Sequence, residues 1–442
     1  MPSDQFSFYI DFGATHTKAL VQSESNPKTY SLSEPAPKLL KIGNQRNYNP
    51  KDYSSHAIKI FTDLVDLYGT PKNIAISGQM ATYIIVNKKS EPLTPIISWQ
   101  DNSSLSDKNL DGIDMYTHSK SIIKINEDGF RPGLPSVSLM TYLAKKKYAL
   151  NQGCFYIPLT NFVLGSILER DLTKMNLHVS EAHCSGFFSL RERKWSMNGE
   201  QEEIFKDLIL PEIEYNPSYI VDSKFGTRVF TPIGDQQAAI QGAQLGYDEI
   251  FVHIATGGQV VCKVNDISEA TNSLFQIRPL IVDKEYFATI THLPAGRLFI
   301  KFFDHLTKET GRKFSWKEFE YTVSTRSSPT YHPGKIDVIS INQNLSNFPH
   351  ISEFSNSIED YVFSFASEVV SVYAKAIARL PLKGAGKVRL SGGLLTKSHF
   401  LKQALFNTIV NDCINIPEDF DTSLMGLRDM LNLVDLETRS SG

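Results

Sequence analysis

Phe8-Tyr9-Ile10-Asp11-Phe12-Gly13-Ala14-Thr15-His16-Thr17-Lys18-Ala19-Leu20-Val21 reads as two apolar, β-prone strands joined by a turn of small residues. A second such pattern, Val252-His253-Ile254-Ala255-Thr256-Gly257-Gly258-Gln259-Val260-Val261-Cys262-Lys263-Val264, lies 244 positions later when Gly13 is set on Gly257. In a turn of Gly, Ala and Thr, backbone N–H groups and hydroxyls can approach phosphate oxygens with no bulky Cβ in the way. Most glycine turns between strands are only hairpins. The weight therefore rests on the pair, one member of it led by Asp11, which suggests two homologous halves facing each other across a cleft for a phosphate chain.

A second echo supports the duplication. Asn73-Ile74-Ala75-Ile76-Ser77-Gly78-Gln79 and Lys387-Val388-Arg389-Leu390-Ser391-Gly392-Gly393 are both buried-type strands ending in Ser-Gly, separated from their hairpins by insertions of unequal length. Strand-like runs alternate with helical patterns along the chain, which points to α/β layers with helices covering the sheets. A length of 442 residues exceeds what one core usually serves, so two domains are expected, 1–243 and 244–442. Residues 358–379 read as a long helix with a broad apolar face, a packing element. Pro, Ser and Asn clusters mark about 265 to 290 and about 325 to 356 as loops or irregular strands.

Composition excludes several classes. With 45 basic and 48 acidic residues the net charge is −3, and no long basic block suggests nucleic-acid or anionic-membrane binding. The cysteines at 154, 184, 262 and 413 form no C-x-x-C pair, so reduced thiols fit better than a zinc knuckle or a disulfide framework. The start, Met1-Pro2-Ser3-Asp4-Gln5, lacks a basic region followed by an apolar one, and no run of 18 apolar residues occurs. A soluble, cytoplasmic protein is expected.

The most specific local signal is Pro232-Ile233-Gly234-Asp235-Gln236-Gln237-Ala238-Ala239-Ile240-Gln241-Gly242-Ala243, which joins the strand-like Arg228-Val229-Phe230 to a helix of small residues. Asp235 stands at the first turn of that helix, where peptide dipoles favour a carboxylate anion able to accept a proton, and where Asp is also a common N-cap. The residues alone leave both readings open. Lys18 belongs to no G-x-x-x-x-G-K-[ST] loop, and strand alternation makes it a solvated side chain. His183 and Cys184, taken as adjacent strand residues, would point to opposite faces rather than pair.

Taken in order, Asp11-x-Gly13-x-Thr15, Ser77-Gly78-Gln79-Met80, Trp99-Gln100-Asp101, Gly234-Asp235-Gln236-Gln237, Thr256-Gly257-Gly258 and Ser391-Gly392-Gly393 resemble the motifs of the FGGY carbohydrate kinases. They run from residue 8 to about 405, and Thr422-Ser423-Leu424-Met425-Gly426-Leu427 resembles the closing small-residue helix of that family. The resemblance implies a pair of actin-like, ribonuclease-H-like α/β domains with an interdomain cleft for ATP and Mg²⁺. It implies that Asp11, with Asp235 acting through water, lies at the metal, and that Gly13, Ala14 and Thr15 form the first phosphate turn. Thr256, Gly257 and Gly258 would form the second, with Gly392 and Gly393 against the adenosine. Gln79, Met80, Trp99, Asp101, Asp235 and Gln236 would line the sugar pocket, and Asp235 would be the general base.

Two departures bear on the sugar. Ketose kinases of the family commonly read Gln-Met-His-Gly and Trp-x-Asp-x-Arg, whereas this chain has Ala81 and Ser103 in place of the His and the Arg. Ser98-Trp99-Gln100-Asp101, residues 180–188 and residues 394–403 lean toward the sedoheptulokinase branch, with xylulose, gluconate and polyol kinases as alternatives. So are a catalytically degenerate sugar or nucleotide sensor and a chaperone-like ATPase. Asp11 and Asp235 argue against a pure binder, and the Trp99 and Asp235 motifs argue against a protein-directed ATPase. A small-molecule sugar is the expected partner, with no nucleic acid, no membrane and a possible homodimer.

Overall fold

The computed structural model describes residues 5–25, 29–109, 111–123, 129–146, 153–268, 275–325, 334–344, 348–354, 357–382, 387–408, 412–415 and 421–440. The chain folds into two compact units, Met1–Gln244 with Arg278–Glu285 and Asp421–Gly442, and Leu245–Ile277 with Tyr286–Phe420.

The first unit is organised on a seven-stranded sheet. Its strands are β1 (Phe6–Phe12), β2 (His16–Ser23), β3 (Thr29–Pro35), β4 (Asn73–Gly78), β5 (Tyr219–Val221), β6 (Arg228–Phe230) and β7 (Ile233–Gly234). They lie in the order β5-β6-β4-β1-β2-β3, with β7 also on β4. β1 and β2 form the expected hairpin, in antiparallel register from Phe6 opposite Ser23 to Phe12 opposite Thr17. β4 returns parallel to β1 after the crossover helix Pro50–Tyr68, whose Asn49 side chain caps the N–H of Lys51.

Alternation along β1 fixes what each face buries. Phe8, Ile10 and Phe12 pack with Tyr53, Ala57, Ile60, Phe61 and Leu64 of that helix, whose spacing makes one stripe. Tyr9, on the other face, joins Leu424, Leu427, Met430, Leu431 and Val434 of the C-terminal helix Thr422–Ser440. That helix meets the helix Asp235–Gly242 at backbone contact. A Cβ on Gly242 would stand 2.0 Å from Thr422 O, and one on Gly426 1.8 Å from Ala238 O. Small residues at both positions are what let the two axes approach. A further six-stranded sheet of this unit contains Tyr83–Val86 and Ile96–Ile97, so Met80 and Trp99 lie just outside its strand ends.

The second unit repeats the plan. Its strands β8 (Glu249–Ile254), β9 (Gly258–Val264), β10 (Gln276–Pro279), β11 (Tyr286–Leu293), β12 (Lys387–Ser391) and β13 (Asp412–Asn415) lie in the order β10-β11-β9-β8-β12-β13. β8 and β9 are the second hairpin, and β12 runs parallel to β8, His253 opposite Ser391. The helix Ile358–Ile377, capped by Ser357, makes the crossover between β11 and β12. The run β3-β2-β1-β4-β6 of the first unit corresponds to β11-β9-β8-β12-β13 of the second, so the paired motifs of the sequence are equivalent elements of a duplicated fold.

Several expectations are corrected. A linear division at 243/244 misses two returns: residues 278–285 and the segment from Asp421 onward pack with the first unit, the latter through the close helix contact. Within 265–290 the chain forms β10 and the start of β11, and within 325–356 it forms the helix Val338–Asn344. Residues 269–274, 326–333, 345–347 and 355–356 of those stretches lie outside the described ones. His183 ends the short helix Val179–His183 and Cys184 is its C-cap, so neither is a strand residue. Cys154, Cys184 and Cys262 are buried and outside any disulfide. No described helix is long and apolar enough to cross a membrane.

Candidate active site

Register alone assembles the centre of the site. Asp11 pairs with Ser77, and Ser77 with Ile233, while the next row is Phe12, Gly78 and Gly234. These are the carboxyl ends of parallel strands, where open α/β sheets bind ligands. Asp235 follows at once as the first residue of its helix, with Gly234 as the N-cap. The N-cap reading of Asp235 is therefore replaced by a carboxylate that accepts its neighbour's N–H, from Gln236, at 2.8 Å.

The charge of Asp11 acts on Asp235. Asp11 is buried, accepts a hydrogen bond from Ser77 Oγ at 2.8 Å, and has its pKa pushed up to about 6 by burial and by Asp421. Asp235 retains partial exposure, and its pKa is pushed up to about 7 by desolvation and by the charge of Asp11, against backbone hydrogen bonds from Gln236 and Met80. Glu181 sits in the same field; burial and Asp235 raise it to about 8. Its Oε1 accepts from Thr160 Oγ1 at 3.2 Å.

Lys18 is more than a solvated side chain. Its Nζ lies 2.6 Å from Asp421 Oδ2, across 403 residues, and its charge acts on Asp11. Asp421 also accepts N–H bonds from Ser423 and Leu424, so it caps the C-terminal helix while facing the first turn. Neither this ion pair nor Arg278, whose charge acts on Asp235, was legible locally, because both partners arrive from distant segments.

The first turn is braced from beneath. A Cβ on Gly13 would stand 2.9 Å from His16 O, whereas Thr15 is exposed and Ala14 partly so. Gln79 is the brace: its Nε2 donates to Gly13 O at 3.3 Å and to Tyr53 Oη at 2.9 Å, and its Oε1 accepts from Tyr48 Oη at 3.3 Å. A side chain so engaged supports the turn rather than presenting free groups to a sugar. Asp101 is similar, accepting Arg46 N–H at 2.8 Å and Ser103 N–H at 3.0 Å together with the Ser103 hydroxyl. Ser103 thus orders Asp101 where the resembling kinases carry Arg.

Met80, Ala81 and Cys184 form a small apolar cluster against Trp99. Ala81 adopts φ +57°, held by its N–H on Cys184 Sγ at 3.1 Å. Met80 also reaches Gly234, where a Cβ would lie 2.8 Å from its Sδ. The predicted residues Met80, Trp99 and Asp235 are therefore neighbours through this cluster, with Gln236 beside Asp235.

In the second unit the turn after β8 exposes Thr256 and Gly257. Nothing lies within 4 Å of a Cβ built on Gly257 or Gly393, so both face open space. Gly258 and Gly392 are required by packing: a Cβ on Gly258 would lie 1.9 Å from Tyr373 Oη, and one on Gly392, at φ +112°, 2.3 Å from Ile254 O. The helix Gly296–Thr310 starts against this turn, with the N–H of Gly296 on Ala255 O at 3.0 Å.

Residues 7–217 match the N-terminal domain of the FGGY family of carbohydrate kinases. That matched segment, a little under half of the chain, belongs to that family. Its members are phosphotransferases that use ATP, and the two units are the family's pair of actin-like domains. Among solved structures, the fold matches a xylulose kinase from Lactobacillus acidophilus at TM-score 0.75 and 17% identity, covering 97% of this chain and 90% of that one. A gluconate kinase from Lactobacillus acidophilus matches at 0.75 and 18%, covering 98% and 90%. A Plasmodium falciparum glycerol kinase matches at 0.70 and 14%, covering 97% and 89%. No curated protein sequence matches the chain. At such identities the FGGY fold is shared while the acceptor is left to pocket chemistry.

Proposed function

We propose that this FGGY kinase transfers the γ-phosphate of ATP to a hydroxyl of a ketose such as sedoheptulose or xylulose, with Asp235 as the general base. The observation that carries the reading is the placement of Asp235, partly exposed, one residue beyond the strand ends that hold Asp11. A sugar hydroxyl is a poor nucleophile at neutral pH, and a carboxylate with a pKa near 7 is matched to taking its proton as the bond to phosphorus forms. The rest of the chemistry is positioning and charge stabilisation. Exposed N–H groups of the turn at Gly13, Ala14 and Thr15 would receive phosphate oxygens, with Lys18 supplying positive charge beside Asp11. Thr256, Gly257 and Gly393 offer the second unit's open contact surface for the nucleotide.

The donor set suits Mg²⁺. Asp11 and Asp235 are oxygen ligands, Asp11 raised by burial and the charge of Asp421 and Asp235 by burial and the charge of Asp11, a crowding of negative charge that a bound cation relieves. Among the described residues no cluster of three or more His, Cys, Asp or Glu is poised for a metal. Asp11, and Asp235 through water, would hold it, and bound there it would neutralise charge on the transferring phosphate. Met80 and Trp99 would pack on the sugar, and Gln236 would contact its hydroxyls.

ADP release measured against a panel of sedoheptulose, D-xylulose, D-gluconate and glycerol tests the reading. Ketose-dependent release is expected, and Asp235→Asn should lower kcat by about 10²–10⁴-fold while nucleotide binding persists. Release with gluconate or glycerol instead would change the acceptor class, and near-normal kcat in the Asn variant would remove Asp235 from the role. Acceptor binding without ADP release would make the protein a sensor.

A further inference from the structure

Residues 278–285 leave the second unit's stretch of chain and pack in the first, and their bonds converge on the residues either side of Asp235. Arg278 is 6% exposed, and its Nη1 donates to Oε1 of Gln236, the residue after Asp235. Gln237 Nε2 donates to Pro279 O at 3.1 Å. On the other side, the N–H of Gly234 donates to Ser180 Oγ at 3.1 Å, and Ser180 Oγ lies 2.8 Å from His178 Nδ1. His178 Nε2 in turn lies 3.2 Å from Ile281 O.

One proton arrangement satisfies the whole chain of contacts. Ile281 O can only accept, so His178 carries its proton on Nε2 and Nδ1 accepts from Ser180. Burial holds the imidazole pKa down to about 4, so the ring is neutral in neutral solution and the arrangement persists. Segment 278–281 therefore grips Gly234 from one side and Gln236 and Gln237 from the other. The guanidinium fixes the Gln236 amide with its oxygen toward Arg278, which sets the amide nitrogen as the donor end. Its charge also acts on Asp235, against that of Asp11.

We propose that Arg278 is a positioning residue for the transfer, holding Gln236 and the first turn of the Asp235 helix in the orientation the acceptor hydroxyl requires. This rests on the reading of Asp235 as the base. A buried Arg held by a planar fork is not replaced by Lys without loss, but Lys still offers a donor and a charge. Displacement of about 1 Å near a reacting group costs about 10²-fold in rate.

The test uses Arg278→Met, Arg278→Lys, Gln236→Met and the Arg278→Met/Gln236→Met double variant, assayed with the panel acceptor that wild type turns over fastest. Arg278→Met should lower kcat/KM for the acceptor by about 10- to 100-fold with the KM for ATP unchanged. Arg278→Lys should recover part of that loss, and the double variant should be no worse than the worse single one, because Arg278 acts through Gln236. Hydrogen exchange read by mass spectrometry gives a measurement without any acceptor: amides of 235–242 should exchange faster in Arg278→Met. Multiplicative losses, an equal change in the KM for ATP, or unchanged exchange would overturn the proposal. Should the Met variant not fold, Arg278→Lys decides by the same ATP-against-acceptor split. An active Asp235→Asn variant would sink the base reading alone, while exchange in 235–242 would still judge the positioning role.

Discussion

The contact between the Asp235–Gly242 and Thr422–Ser440 helices makes Gly426→Ala a sharp test of how the first unit is held together. In an isolated helix this change is favourable by ~1 kcal/mol. Here the new Cβ would stand 1.8 Å from Ala238 O and 2.9 Å from Gly242 N, both backbone atoms that cannot rotate away. The helices must part by more than about 1 Å, and a gap of that size forfeits about a quarter to a half of a packing contact. Leu424, Leu427, Met430, Leu431 and Val434 depend on the seating of this helix. At ~2 kcal/mol each, their burial contributes about 10 kcal/mol, so the loosening costs about 2.5–5 kcal/mol. After the helix-propensity gain, the net loss is about 1.5–4 kcal/mol. Urea unfolding of the full chain, followed by far-UV circular dichroism, reads the loss as an earlier first transition. Gly199→Ala is the control, since nothing lies within 4 Å of its Cβ. A Gly426→Ala protein as stable as wild type would refute the close packing of these two helices.

Glu181→Gln should change the pH dependence of stability in a defined direction. The folded pKa of about 8 lies above the ordinary 4.5, so the native state holds a proton that the unfolded chain has released, and stability falls as pH rises between those values. The Gln variant, which still accepts from Thr160, should gain on wild type steadily from about pH 5 to about pH 8 and then level off; parallel profiles in paired urea titrations would contradict this. Gly13→Ala, with its Cβ 2.9 Å from His16 O, should lose about 1–3 kcal/mol. Gly257→Ala, facing open space, should stay within about 0.5 kcal/mol of wild type, and thermal melts that rank the two the other way would show the turns misread.

What the sequence made legible was local. A hairpin needs only two apolar strands and a turn, and β1–β2 and β8–β9 sit in the expected places, each with its parallel partner ending in Ser-Gly. Asp235 was visible because a strand, a Gly and a small-residue helix are contiguous. Lys18–Asp421 and Gln236–Arg278 were not, since each pairs residues that only the tertiary fold brings together. Gln79 and Asp101 show the complementary limit. Their motif positions were evident, but only the hydrogen-bond partners show that one braces the first turn and the other is ordered by Ser103.

The return of the C-terminal helix to the first unit also has a consequence for synthesis. Residues 1–244 leave the ribosome with Tyr9 and Ala75 lacking their cover and Lys18 lacking Asp421, although the motifs at Asp11, Ser77, Trp99 and Asp235 have already been made. At about 5–20 residues per second, the nascent unit waits roughly 10–35 s for residue 421 to be made, an interval in which an open apolar sheet face invites chaperone binding. A premature stop near residue 420 would spare every glycine turn and both Asp11 and Asp235, yet leave the nascent protein permanently at that unfinished stage.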